Sequence, residues 1–275
     1  MKKMKRREML VGVGAGLAGL GAGTFLSLGL VDRETRANEI DGFDSWKYAI
    51  IDPVKAADLA YEIYPDGACM YAIVRGLLTT VADTLRSTDP LAASMMMGFP
   101  FHMMRYGHAG IGAIGSTCGA FNGGAAVIGL FIKDADKRDA IIRELTVYYE
   151  NTELPKYKPK DDKFPTMESV VTESVLCHIS SSRWRVAANA NMFSPKRSDR
   201  CRRLTSDIVI KTAELLNRYH TDRNCTFAPL MQPTATCFDC HGSQGMQADS
   251  IGKMSCATCH EHDDSHSNKY INMRK

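Results

Sequence analysis

The chain has 275 residues, 44% of them hydrophobic, with 34 Lys and Arg against 31 Asp and Glu for a formal net charge of +3. The basic excess lies in the first 37 residues; the remainder holds 27 basic and 28 acidic side chains, which removes any electrostatic argument for nucleic acid as a partner. Length and composition suit one domain, or a domain with a tail, with no low-complexity stretch.

The N-terminus places Lys2, Lys3, Lys5, Arg6 and Arg7 ahead of a Gly/Ala/Leu-rich apolar run that ends near Val31. A basic region, an apolar run and a small-residue site describe a secretory signal, with Thr35-Arg36-Ala37 setting cleavage after Ala37. The Arg6-Arg7 pair resembles a twin-arginine signal. Gly12, Gly14, Gly16, Gly19, Gly21 and Gly23 keep the apolar run only weakly hydrophobic, which fits that route. Residues 1–37 are therefore expected to direct export to the periplasm. Left uncleaved, the same segment is just long enough to anchor the chain in a bilayer.

Residues 38–230 read as a helical body. Asn38 to Asp52 is polar, a loop or short arm carrying Trp46 and Tyr48. Pro53 to Ile63 is a helix with proline in its first turn, and Asp66-Gly67 ends it. Ala68 to Leu85 is a second, mostly buried helix bearing Cys69. Met95, Met96, Met97, Met103 and Met104 follow, expected to fill gaps in the core rather than to ligate iron. Gly110 to Phe131 is apolar and rich in small residues, so a membrane span must be considered. Ser116, Thr117, Asn122 and seven glycines favour instead a buried central helix, or two broken halves, in which small residues let a neighbour approach Cys118. Lys133 to Asn151 is an amphipathic helix, with Ile141, Ile142, Leu145 and Tyr148 at helical spacing. Pro155 to Pro165 is a surface excursion. Glu168 to Ala190 carries Cys177-His178 and Trp184. Ser198 to His220 is a long helix with Cys201 in its first turn. Almost nothing alternates as a strand, so the fold class is all-α, with an irregular C-terminal segment beyond the boundary marked by Pro229 and Pro233.

That segment, residues 231–275, holds Cys237-Phe238-Asp239-Cys240-His241 and Cys256-Ala257-Thr258-Cys259-His260. Cys-x-x-Cys-His is the attachment pattern of c-type haem. Two thiols bond the porphyrin's vinyl groups, and the adjoining imidazole becomes the proximal ligand of the iron. The four thiols also spell a zinc-ribbon spacing. Four thiolates would already fill a tetrahedral zinc site, leaving no reason for a histidine directly after each pair. Two c-type haems are therefore expected, on His241 and His260, and the porphyrins supply the core that the segment lacks. Sixth ligands must come from His102, His108, His178, His220, His262 or His266, or from a partner subunit. His262 is too close to His260 to reach the opposite face of the same haem. Of the others, His178 and His220 are the leading candidates as distal ligands.

Cys69, Cys118, Cys177, Cys201 and Cys225 remain. Export permits disulfides, but the odd count leaves a thiol over. Four thiolates brought together would instead hold an iron–sulfur cluster. Cys69, the Cys118-Gly119-Ala120-Phe121-Asn122-Gly123 run, Cys177 and Cys201 resemble the C-GCAxxG-C-C family of redox-active proteins. The pattern departs in having Thr117 before Cys118 and Gly119 before Ala120. Joined to a dihaem tail behind an export signal, it is similar to the split-Soret family of c-type cytochromes from sulfate-reducing bacteria. That resemblance implies an α-helical homodimer with two bis-histidine haems per subunit and a candidate iron–sulfur site at Cys69, Cys118, Cys177 and Cys201. Cys225 has no place in it.

Haems saturated by two imidazoles favour electron transfer over substrate chemistry. The leading expectation is a non-enzymatic carrier between redox partner proteins. The alternative is a reductase with the cysteine site as active centre and the haems as its electron feed.

Overall fold

Helix α2 (Ala68–Leu85) forms the axis of the body, apolar on nearly every side, with Met70 through Leu85 largely buried. The computed structural model describes residues 46–230, 234–248 and 250–260. The export signal, His262 and His266 lie outside the described residues. Around α2 pack α1 (Pro53–Ile63), α3 (Pro90–Met97), α4 (Gly119–Phe131) and α7 (Pro195–Thr221). Helix α5 (Ala135–Asn151) closes over α4 and α7, and α6 (Cys177–Ala187) follows a long connection. The all-α class holds. Among the described residues the extended pairing consists of the bridges Thr117 to Leu176 and Leu154 to Val170.

Helix starts follow local chemistry. Asp52, Asp89, Asp134 and Ser194 each accept a backbone N–H of the following turn, and Pro53, Pro90 and Pro195 occupy first-turn positions where no donor is needed. The arm before α1 is packed rather than loose. Tyr48 donates to Asn217 at 2.7 Å and meets Phe131 edge to face. The surface excursion after α5 is pinned at its start, where the amides of Lys156 and Tyr157 donate to the buried Asp207 carboxylate at 2.8 and 2.9 Å.

Three expectations need correction. The Gly110–Phe131 stretch is helical only in its second half. Before Cys118 the backbone turns repeatedly through the left-handed region at Ala109, Gly110, Ile111, Gly112, Ala113 and Gly115, which no helix can contain. The 13 residues of α4 span about 20 Å, too short for a bilayer. Among the described residues the one helix long and apolar enough to cross a membrane is α2, and it is the core helix. Second, α7 begins at Pro195, capped by Ser194, so Cys201 sits in its second turn. Third, the methionines divide: Met96 and Met104 fill the core, but Met97 and Met103 are exposed.

Gly119 and Gly123 explain how close α4 lies to α2. A Cβ on Gly123 would stand 2.2 Å from Ile73 Cγ2, and one on Gly119 would stand 2.3 Å from the Gly107 carbonyl oxygen. The glycine that interrupts the expected cysteine pattern is thus where alanine would collide with backbone.

Candidate redox site: four buried cysteines and a C-terminal tail

Cys69, Cys118, Cys177 and Cys201 are all buried and line one cavity of about 240 Å³. Each comes from a different element. Cys69 lies in the first turn of α2, Cys118 is the N-cap of α4, Cys177 is the first residue of α6, and Cys201 lies in the second turn of α7. Three thiols therefore sit at helix N-termini, where open N–H groups and the helix dipole favour sulfur's anionic form.

Short antiparallel pairing brings two of them together. The amide of Cys118 donates to the Val175 carbonyl at 2.8 Å, and that of Cys177 donates to the Ser116 carbonyl at 2.7 Å. Cys69 is held by a different device. Ala68 adopts φ +63°, a left-handed conformation costly for a residue with a Cβ, where the chain turns from Gly67 into α2. Ala109, at φ +47°, lines the cavity as well, so backbone strain gathers around the thiols.

Burial, with Cys118 and the other thiols adding to it, pushes Cys69 far above its usual range. Burial likewise pushes Cys177 up to about 12. Cys118 is also raised by burial, against which the Tyr149 hydroxyl and the amides of Ala120 and Phe121 pull it down. Arg200 faces the same cavity. Burial works to discharge its guanidinium, but Cys201, Tyr149 and Cys118 carry it above its ordinary range.

Soft thiols with no carboxylate among them suit zinc or iron–sulfur chemistry and not a hard cation. Among the described residues no three His, Cys, Asp or Glu side chains close on a single point as a lone metal ion requires. Thiols spread around a cavity wall, with buried guanidinium N–H groups of Arg197 and Arg200 unpartnered beside them, fit a larger anionic group.

The tail is built otherwise. Cys237, Cys240 and His241 share the short helix α8 (Thr234–His241), and Cys256 opens a single 3₁₀ turn that runs to Thr258. One short helix and one turn among the tail's described residues fit the irregular segment expected there. All four tail cysteines are half-buried. Burial and the neighbouring Cys237 raise the Cys256 thiol. The tail docks at the C-terminal end of α5: Ser255 N–H donates to Glu150 Oε1 at 3.1 Å, and Thr258 Oγ1 donates to the Glu173 carbonyl at 2.5 Å. Burial pushes Glu150 up to about 7, against the amides of Ser255 and Val175 that favour its anion.

The two leading distal-ligand candidates are separated. His178 is exposed on the first turn of α6, its Nδ1 2.8 Å from the Gly115 carbonyl oxygen, in the segment that follows Glu173. His220 lies 19 residues beyond Cys201 on α7, a rise of about 28 Å. There its ring stacks on Tyr48 at 4.5 Å and its Nδ1 lies 3.1 Å from an Arg223 nitrogen. Burial and Arg223 push it down to about 4. His102 and His108 are exposed near the start of the left-handed loop, and His108 also lines the cavity. Cys225 is half-buried against the core and is not among the residues lining the cavity. Sequence spacing gave no sign of Arg200, Tyr149, Ser180 or Glu150, whose roles depend on which helix ends meet.

The family described as "Putative redox-active protein (C_GCAxxG_C_C)" matches residues 74–215, which include Cys118, Cys177 and Cys201. The chain belongs to the C_GCAxxG_C_C family. Over its whole length it is also similar to the split-Soret cytochrome c of Desulfovibrio desulfuricans, at 30% identity across 97% of this chain and 98% of that protein. The solved split-Soret cytochrome c from that organism, described for a novel iron centre, superposes with a TM-score of 0.70 at 29% identity. The match covers 82% of this chain and 95% of the solved one. In this C_GCAxxG_C_C chain, the family match begins after Cys69 but spans the elements that bring the other three cysteines to the cavity.

Proposed function

We propose that this protein is an exported dihaem c-type cytochrome that carries electrons between redox partners, with an iron–sulfur centre on Cys69, Cys118, Cys177 and Cys201. The haems attach at Cys237 with Cys240 and at Cys256 with Cys259, with His241 and His260 as proximal ligands. Held there, the haems and the iron–sulfur centre would supply one-electron chemistry. The protein works in the periplasm after twin-arginine export, a reading supported by the basic, apolar and small-residue order of residues 1–37, and it forms a homodimer.

The observation that carries this reading is the junction at Glu150. Its carboxylate receives the amide of Ser255, next to Cys256, and the amide of Val175, whose carbonyl accepts the Cys118 N–H. A hydrogen-bonded relay of three residues thus joins the second haem motif to the cysteine cavity. The body's task is to fix that separation and exclude water from the thiols. Placement on the tail's side of the body favours His178 over His220 as a distal ligand from within the chain.

Iron, haem and acid-labile sulfide are to be counted on protein matured in a cytochrome-competent host and purified without oxygen. Two haems with additional iron and sulfide are the expected result. Iron equal to haem removes the cluster, and an unmodified polypeptide carrying one zinc ion removes the cytochrome reading altogether.

A further inference from the structure

Arg200 is 1% exposed, yet among the described residues it makes no ion pair with a carboxylate. Arg203, nearly one turn on, shows the ordinary solution, pairing with Asp199 at 2.6 Å and with Asp162. Arg200 Nη2 donates to Ser180 Oγ at 2.9 Å, and the same oxygen accepts from the Tyr149 hydroxyl at 2.9 Å. The Nε of Arg200 is buried with no hydrogen-bond partner, and so is that of Arg197 one turn earlier. Both side chains line the four-cysteine cavity. The buried Asp207 carboxylate acts on Arg200 only at longer range, its oxygens taken by the amides of Lys156 and Tyr157. A buried cation without a contacting counter-charge costs several kcal/mol, so the site is shaped for an anion. The groups that face Arg200 there are thiols and the Tyr149 hydroxyl.

We propose that Arg200 is the fixed counter-cation of the four-cysteine site, offering its Nε–H to the anionic sulfur group held there and raising that group's reduction potential. The inference rests on reading the four cysteines as an iron–sulfur site. An iron–sulfur group held by four thiolates would be negatively charged there, and its one-electron-reduced form would carry one more negative charge. A guanidinium at fixed position therefore stabilises the reduced form more than the oxidised one. Ser180, held by Tyr149, is a positioning residue: it fixes one arm of the guanidinium fork of a side chain that lines the cavity.

The test uses full-length, haem-loaded protein purified without oxygen, as wild type, Arg200→Gln, Arg200→Lys and Ser180→Ala. Haem content and haem spectra report folding. Non-haem iron per chain, its rate of loss to a chelator, and potentiometric titration of the non-haem paramagnetic signal report the site. Arg200→Gln is expected to disfavour the reduced form about tenfold, a downward shift of about 59 mV, and to release iron about tenfold faster. Arg200→Lys, which keeps the charge, should fall within about threefold of wild type on both measures, and Ser180→Ala should shift in the same direction by a smaller amount. Arg200→Gln titrating within about twofold of wild type would overturn the proposal, as would Arg200→Lys shifting as far as Arg200→Gln. If Arg200→Gln does not accumulate folded, Ser180→Ala decides: a downward shift supports the role and an unmoved potential sinks it. Wild-type protein with no non-haem iron overturns the cluster reading, a failure visible before any variant is compared.

Discussion

The tail and the helical body present two ways of gathering cysteines. In the tail each reactive set is contiguous, Cys237 to His241 and Cys256 to His260, and little surrounding fold is needed to bring its members together. In the body the four thiols are spread from residue 69 to residue 201 and line one cavity because the first turns of α2 and α6 and the second turn of α7 converge with the N-cap of α4. The first arrangement tolerates a weak core and borrows one from its cofactor. The second exists only as long as α2, α4, α6 and α7 stay packed.

The largest expected effect separates the two directly. Replacing Cys237 and Cys240 by alanine should remove one haem from two, seen by intact mass and absorbance, while the body keeps its thermal midpoint to within a few degrees. Cys118→Ser should do the reverse, losing most of the non-haem iron with both haems retained. Loss of haem in that variant would mean the tail depends on the cysteine site for maturation, and the contrast would fail.

A third prediction concerns packing. Gly119→Ala places a methyl 2.3 Å from the Gly107 carbonyl, so α4 must move away from α2. We expect destabilisation of about 2–3 kcal/mol, read by denaturant unfolding, together with a lower non-haem iron content, since Cys118 moves with the helix. Unchanged stability would show that the loop before α4 yields easily.

The smallest effect lies where the two regions touch. Glu150 titrates near 7 in the folded chain against 4.5 when free, because burial disfavours its anion. Folding therefore takes up a proton between those values, and this contribution to stability is full below about pH 4.5 and lost as pH rises through about 7. After allowance for partial solvation the slope should be on the order of 1–2 kcal/mol across that window. Asp207, raised to about 7 by burial, and His220, lowered to about 4, titrate over the same range. The test is therefore the difference between wild type and Glu150→Gln in urea unfolding at several pH values: the variant should lose less stability across the window, and identical slopes would contradict the assignment.

What could be read in advance follows the same division. The helix bounds at Pro53–Ile63 and Ala68–Leu85 agree with the structure because capping residues, proline and apolar periodicity are local signals. The Gly110–Phe131 stretch misled because small apolar residues look alike in a helix and in a left-handed turn; what separates them is the bridge from Thr117 to Leu176, a partner 59 positions away. Cys201 lies in the second turn of α7 rather than the first because Ser194 and Pro195 start the helix earlier than the charged run after them suggests.

By itself the sequence determined the helical class and displayed the two Cys-x-x-Cys-His motifs of the tail, and it singled out the four body cysteines. These rest on residues near one another in the chain, or on a pattern shared with relatives. Only the tertiary structure decided that those cysteines line one cavity, that a buried arginine with no carboxylate in contact faces them, and that Glu150 joins them to the tail. Helix ends carry directional N–H groups and charges whose effect depends on which ends meet, and that meeting is set by core packing around α2 rather than by any spacing along the chain.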